Sequence, residues 1–188
     1  MDTEIKVLYT AEQIAERISE LGRLITTDYD NKDLVCLGTV EDSFVFLADL
    51  IRAIQRPVDC LFIKTITRES RQGKGGYKSI FFTSIPDLKD RDVLLIVGML
   101  DTGLTAEFLS RNILMQEPRS FKIVALIDKP EMRRSPAVAE YAAFTVQDQY
   151  IVGYGLGTEA RYKNLPSLAV LEGHPARTPD IVLALDEP

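Results

Sequence analysis

Residues 101–105 read Asp101-Thr102-Gly103-Leu104-Thr105 and follow an apolar run, VLLIVG (93–98). A tight turn with two hydroxyls, a glycine and consecutive backbone N–H groups can surround a phosphate. A helix starting there adds its dipole to the attraction for negative charge. Gly103 lets the backbone approach the anion closely. The residues alone leave a second reading open, an ordinary strand-to-helix turn with Thr105 as N-cap. Other reactive types are sparse. Lys129 and Tyr150, taken by themselves, read as a solvated lysine and a half-buried strand aromatic. Cys36 and Cys60 lie inside apolar runs (LVCLG and VDCLF) and read as buried small hydrophobes rather than a disulfide or a reactive thiol. His174, the one histidine, stands beside a proline and is no evidence for a metal site or a catalytic base.

Such a turn has to be presented by its neighbours. VLLIVG is apolar at nearly every position, the pattern of a central parallel strand covered on both faces. TAEFLSRNILMQ (105–116) after it reads as helix. Further back, Thr10 and Gln13 form a capping box, and Ile14, Ile18, Leu21 and Leu24 recur at helical spacing, which predicts a helix over 11–24. LVCLG (34–38) is a buried strand, and FVFLADLIRAI (44–54) a helix with Asp49 and Arg52 toward solvent. VDCLFIKTIT (58–67) and SIFFTSI (79–85) are strands separated by RESRQGKGGYK (68–78), a basic, glycine-rich lid loop carrying Arg68, Arg71, Lys74 and Lys78. PDLKDRD is a turn, FKIVALID (121–128) a strand, and AAFTV and SLAVL two short strands. Strands alternating with helices predict an α/β fold with a mainly parallel central sheet flanked by helices. In such sheets ligands gather beyond the carboxyl ends of the strands, where the 101–105 turn falls.

Charge and composition narrow the partners. The chain has 188 residues, a formal net charge of -6 and 46% hydrophobic residues, which suits one buried core and no general affinity for nucleic acid. MDTEIKVLYT lacks a basic region followed by an apolar stretch, and no apolar run approaches the roughly 18 residues of a membrane helix. The expectation is a cytoplasmic protein with one domain over 1–172 and a C-terminal extension over 173–188, where PDIVLALDEP contains a short β-like run.

The stretch RDVLLIV…LDTGLT resembles the phosphoribosyl-diphosphate signature of type I phosphoribosyltransferases. FVFLADLIRAI, ALIDKPEMRR and QYIVGYGLGTEARYKNLPSLAVL are similar, in order and spacing, to segments of the hypoxanthine-guanine branch of that family, over about residues 5–172. The resemblance implies that Asp101, Thr102, Gly103, Leu104 and Thr105 bind a 5′-phosphate, with Asp101 also the candidate general base near purine N7. It implies that Lys129 donates to the purine 6-oxo group, that Tyr150 stacks on the base and that the Ile151 carbonyl meets the purine edge. It further implies lid and pyrophosphate contacts from Arg68 and Lys163, the latter at a position the family gives to arginine. Family members form homodimers or homotetramers, so the same is expected here.

The chain departs from that pattern at one end of the site. The acidic pair that binds the ribose hydroxyls is Val97 and Gly98, and the Lys-Gly of the pyrophosphate loop is Glu41 and Asp42. The magnesium-ligating aspartate after Gly-Tyr-Gly-Leu is Gly157, and the Ser-Tyr pair of the closing loop is Thr67 and Arg68. No residue set for a metal remains, so Mg2+ is expected only with an active site that receives it through substrate and water. Each carboxylate facing pyrophosphate costs about 3–4 kcal/mol at an effective dielectric near 20, and Arg68 or Arg71 is available to pair with Glu41 or Asp42 and shut the pocket. Two functions follow from the resemblance. One is a purine-nucleotide-binding protein for GMP or IMP, with weak or lost transferase activity, serving as a sensor or partner. The other is an active salvage enzyme making IMP or GMP and pyrophosphate from a 6-oxopurine and phosphoribosyl diphosphate.

Overall fold

A computed structural model describes residues 4–69, 76–82, 87–157 and 161–173. The chain runs β1 (Ile5–Tyr9), α1 (Ala11–Asp28), β2 (Leu34–Thr39), α2 (Val40–Ala53), β3 (Asp59–Glu69), β4 (Gly76–Phe82), β5 (Asp92–Leu100), α3 (Leu104–Leu114), β6 (Ser120–Asp128), β7 (Tyr141–Thr145), β8 (Ile151–Val152) and β9 (Leu168–Leu171). A single 3-10 turn, Pro130–Met132, follows β6. The larger sheet has the order β4-β3-β2-β5-β6-β7, with five parallel strands and β4 antiparallel to β3.

The apolar run of β5 explains its central place. Leu94 and Ile96 face the layer of α1 and α2, packing with Ile14, Ile18, Phe46 and Leu50. Val93, Leu95 and Val97 face the other layer, with Leu109 and Ile113 of α3. Alternation at period two sends successive side chains to opposite faces, so a strand between two helix layers must be apolar throughout. The capping box at the start of α1 is present, Thr10 and Gln13 each bonding the other's backbone N–H.

Three expectations change. α2 begins at Val40, four residues before 44, so Glu41 and Asp42 lie in its first turn, where negative charge favours the helix dipole. The loop expected over 68–78 is shorter at both ends. Arg68 belongs to β3, opposite Tyr77 of β4, and Lys78 lies in β4 opposite Thr67. Arg71, Lys74 and the 174–188 part of the expected extension fall outside the described residues. A second, antiparallel sheet, β1-β9-β8, was not foreseen from the sequence. No helix among the described residues is long and apolar enough to cross a membrane.

Candidate functional site

The 101–105 turn leaves β5 at its carboxyl end and enters α3 directly. Gly103, not Thr105, is the N-cap, with φ of 80° and its carbonyl accepting from Glu107 N at 2.8 Å. Two constraints select glycine there. The positive φ disfavours L side chains, and a Cβ would stand 2.3 Å from Ser135 Oγ and 2.9 Å from Arg133 Cδ. The segment after β6 therefore lies against the turn, and it is bonded to it. Lys129 N donates to Leu100 O at 3.0 Å, and Arg134 N to Thr102 O at 2.9 Å. Arg133 donates from Nη1 to Leu100 O at 2.8 Å and to Asp101 O, and from Nη2 to the Asp128 carboxylate. Arg133 and Asp128 are largely buried. Sequence reasoning missed Arg133. An arginine four residues after Lys129 in a Pro-containing turn was the available signal.

A cavity of about 170 Å3 opens beside the turn, lined by Asp101, Thr102, Gly103 and Thr105, by Glu41 and Asp42 of α2, and by Lys64 of β3. Lys64 is a second cation that the sequence did not single out. Lys163, which lines the larger groove between α1 and α2 and not this cavity, donates to Glu41 O at 2.8 Å and to Asp42 Oδ1 at 3.1 Å. Among the described residues Lys163 is paired with Asp42; the pairing of Arg68 or Arg71 with Glu41 or Asp42 expected from the sequence falls on side chains outside those described.

Val97 and Gly98 have physical reasons for lacking carboxylates. Val97 is 6% exposed and belongs to the apolar layer under α3. A Cβ on Gly98 would lie 2.1 Å from Asp42 O and 2.7 Å from Leu156 Cδ2, so the first turn of α2 fills the space a side chain needs. Gly157, with φ of 139°, likewise offers no donor. Among the described residues no group of three or more His, Cys, Asp and Glu side chains can hold a metal ion. Among the described residues the donor set does not fit a protein-held Mg2+.

The other expected residues lie nearby but outside that cavity's lining. Lys129 is 1% exposed, which overturns the reading of a solvated lysine, and its Nζ donates to Gln149 O at 2.6 Å with Asp148 Oδ1 at 3.8 Å. That bond ties the end of β6 to the residue before Tyr150. Tyr150 is half-buried against Val152, Ala169 and Leu171, and its carbonyl accepts from Leu171 N at 3.1 Å. Ile151 is buried in β8, paired with Val170. A larger, apolar groove of about 950 Å3 runs between α1, α2 and residues 163–166. It does not include the 101–105 turn, which lines the smaller cavity.

A family model described as "Phosphoribosyl transferase domain" matches residues 4–158. The chain is 34% identical over 167 residues to the hypoxanthine-guanine phosphoribosyltransferase of Lactococcus lactis, covering 89% of this chain and 91% of that protein. It is 32% identical to the Bacillus subtilis protein of the same name, covering 89% and 93%. Among solved structures it is similar to a hypoxanthine-guanine phosphoribosyltransferase from Bacillus anthracis, with a TM-score of 0.80, 33% identity and 91% and 99% of the two chains covered. A Trypanosoma cruzi hypoxanthine phosphoribosyltransferase variant in a ternary substrates complex gives 0.82 at 30% identity, covering 91% and 96%.

Proposed function

The chain belongs to the phosphoribosyl transferase family and is of the hypoxanthine-guanine type, and from that premise we propose that it handles 6-oxopurine nucleotides and transfers a phosphoribosyl group to hypoxanthine or guanine. The observation that carries this reading is the 101–105 turn, capped by a glycine at positive φ and clamped by Arg133 at the carboxyl end of the central strand. In it the turn's amides and hydroxyls hold the 5′-phosphate, at the N-terminus of α3. Tyr150 stacks on the purine, Lys129 donates to its 6-oxo group and the Ile151 carbonyl accepts from its edge. Lys129 is supported in that role by burial and by a fixed carbonyl partner, Gln149 O, which hold the ammonium at one place. Asp101 takes the proton from the purine nitrogen as the base becomes a nucleotide. The names of the relatives support transfer as the outcome.

A second reading, binding of GMP or IMP without transfer, is favoured by one specific observation. The first turn of α2 occupies the position of a Gly98 side chain, and no carboxylate stands at 97, 98 or 157. One assay separates the two. Purified protein with labelled hypoxanthine or guanine, phosphoribosyl diphosphate and excess magnesium is followed for IMP or GMP, and GMP affinity is measured on the same sample. Turnover near 1 per second or above, an ordinary enzyme rate, is the expected outcome for transfer. GMP binding with no product establishes the receptor reading, and neither product nor binding overturns both.

A further inference from the structure

We propose that the outer edge of β1 is the docking site of residues 181–185 of this chain, Ile-Val-Leu-Ala-Leu, which join the β1-β9-β8 sheet as a fourth strand parallel to β1. Among the described residues β1 is paired on one side only, with β9. The bonds around β9 decide which backbone groups are left over. Glu172 N donates to Glu4 O at 3.1 Å, toward β1, and Leu171 N donates to Tyr150 O at 3.1 Å, toward β8. Backbone groups alternate in direction along an antiparallel ladder, so Glu4 and Lys6 face β9 while Ile5 and Val7 turn their N–H and C=O outward. The side chains of the same two residues are 40% and 55% exposed. An edge that is both apolar and unpaired is a template for another strand.

Reach, pattern and charge select the occupant. Glu172 and Gly173 lie at the Ile5 end of β1, and Gly173 turns the chain there with φ of 83°. Among the described residues no atom stands within 4 Å of where its Cβ would be. Residues 174–180 reach about 23 Å at roughly 3.3 Å each. A place beyond β1 is two strand spacings from β9, about 9.6 Å. Pro175 and Pro179 fall in that connection, and 181–185 contain no proline, as a strand that donates along a ladder requires. The shortest path starts at the Ile5 end and lays the run parallel to β1. With Ile181 beside Ile5, alternation puts Leu183 and Leu185 on the face of Val7 as well. Asp186 and Glu187 then arrive at the N-terminus of α1, where the helix dipole favours negative charge. β9 is bonded on its other side to Tyr150, so the added strand steadies the sheet that holds that residue.

The test is hydrogen exchange on the full chain, read by NMR at the amides of Ile5 and Val7. Leu183→Pro removes a donor and interrupts the run, whereas Leu183→Ala keeps the donor and trims the side chain beside Val7. In wild type the two amides are expected to exchange at least about tenfold more slowly than in L183P, with L183A between them and Lys6 unchanged. The slowing is expected to be independent of protein concentration, because run and edge belong to one chain. Equal exchange at Ile5 and Val7 in wild type and L183P overturns the proposal. So does slowing that is lost on dilution, which would give the edge to the run of a second copy. Slowing confined to α1 and α2 would seat the run in the larger groove and overturns it too. If L183P also perturbs the amides of β5, L183A is read alone by the same criteria.

Discussion

At position 98 the backbone of a neighbouring helix stands where a side chain would begin. Replacing Gly98 by aspartate therefore forces the first turn of α2 away from β5, and it places a charge among Leu156 and the buried end of the strand. G98D is expected to cost about 3 kcal/mol or more, from overpacking together with a half-desolvated carboxylate. Urea denaturation at neutral pH checks it, and an unchanged midpoint would mean that α2 yields freely. Individual residues divide into two kinds by how legible they were. The hydroxyls and glycine of the 101–105 turn were readable because they are contiguous. The approach of Asp42 O to Gly98, the Lys163 bonds and the burial of Lys129 were not, because each depends on segments that meet only in the folded chain. The expected repulsion from two carboxylates is also reduced in consequence, since Asp42 is paired with Lys163.

The elements were legible where pattern and packing agree. The helix at 11–24 continues to Asp28, and the strands at 34–38, 93–98 and 121–128 are β2, β5 and β6 with one or two more residues at their ends. α2 starts early because acidic residues at its first turn are favourable partners of the helix dipole, a signal outweighed in the sequence by the more apolar stretch that follows. The small second sheet escaped notice because β8 has two residues and β1 carries exposed Ile5 and Val7, so neither shows a buried pattern. Between β6 and β7, the segment over 129–137 acts as a clamp on the 101–105 turn through Arg133. Arg133→Met removes three donated bonds and leaves Asp128 without that guanidinium. GMP affinity is expected to fall at least about tenfold, with amide exchange at 101–103 faster than in wild type, because the turn loses its fixed shape. Calorimetry and hydrogen exchange read the two effects, and an R133M protein with wild-type affinity would show that the turn holds its shape unaided.

Over the whole molecule, burial disfavours the ionised form of one thiol and three phenols. Burial, with Cys60 beside it, pushes the Cys36 thiol from 9 up to about 12. Burial likewise raises the hydroxyls of Tyr29, Tyr141 and Tyr154, the last two also hydrogen-bonded to Asp28 and Asp49. A raised folded value means that the unfolded chain loses its proton first. Stability is therefore complete below about pH 9 and falls as pH rises toward 12. Cys36 alone accounts for about 1.4 kcal/mol lost by pH 10. Unfolding free energies from urea denaturation at pH 8 and pH 10 are expected to differ by about 1.4 kcal/mol less in Cys36→Ala than in wild type, and equal differences would exclude Cys36 as the source. The order of strands and helices, and so the parallel core, was readable from alternating apolar runs, whereas the registers that bring Thr39, Leu100 and Asp128 to one edge were not. The close fit of Gly98 to Asp42 bears finally on which mutational routes are open to the protein. The obstructing atom belongs to the main chain, so no exchange of the Asp42 side chain clears it. A lineage that gains a carboxylate at 98 does so at lower cost once the start of α2 has been reset, and the reverse order passes through an intermediate destabilised by about 3 kcal/mol or more. A carboxylate at 98 is thus closed to a single step of low cost.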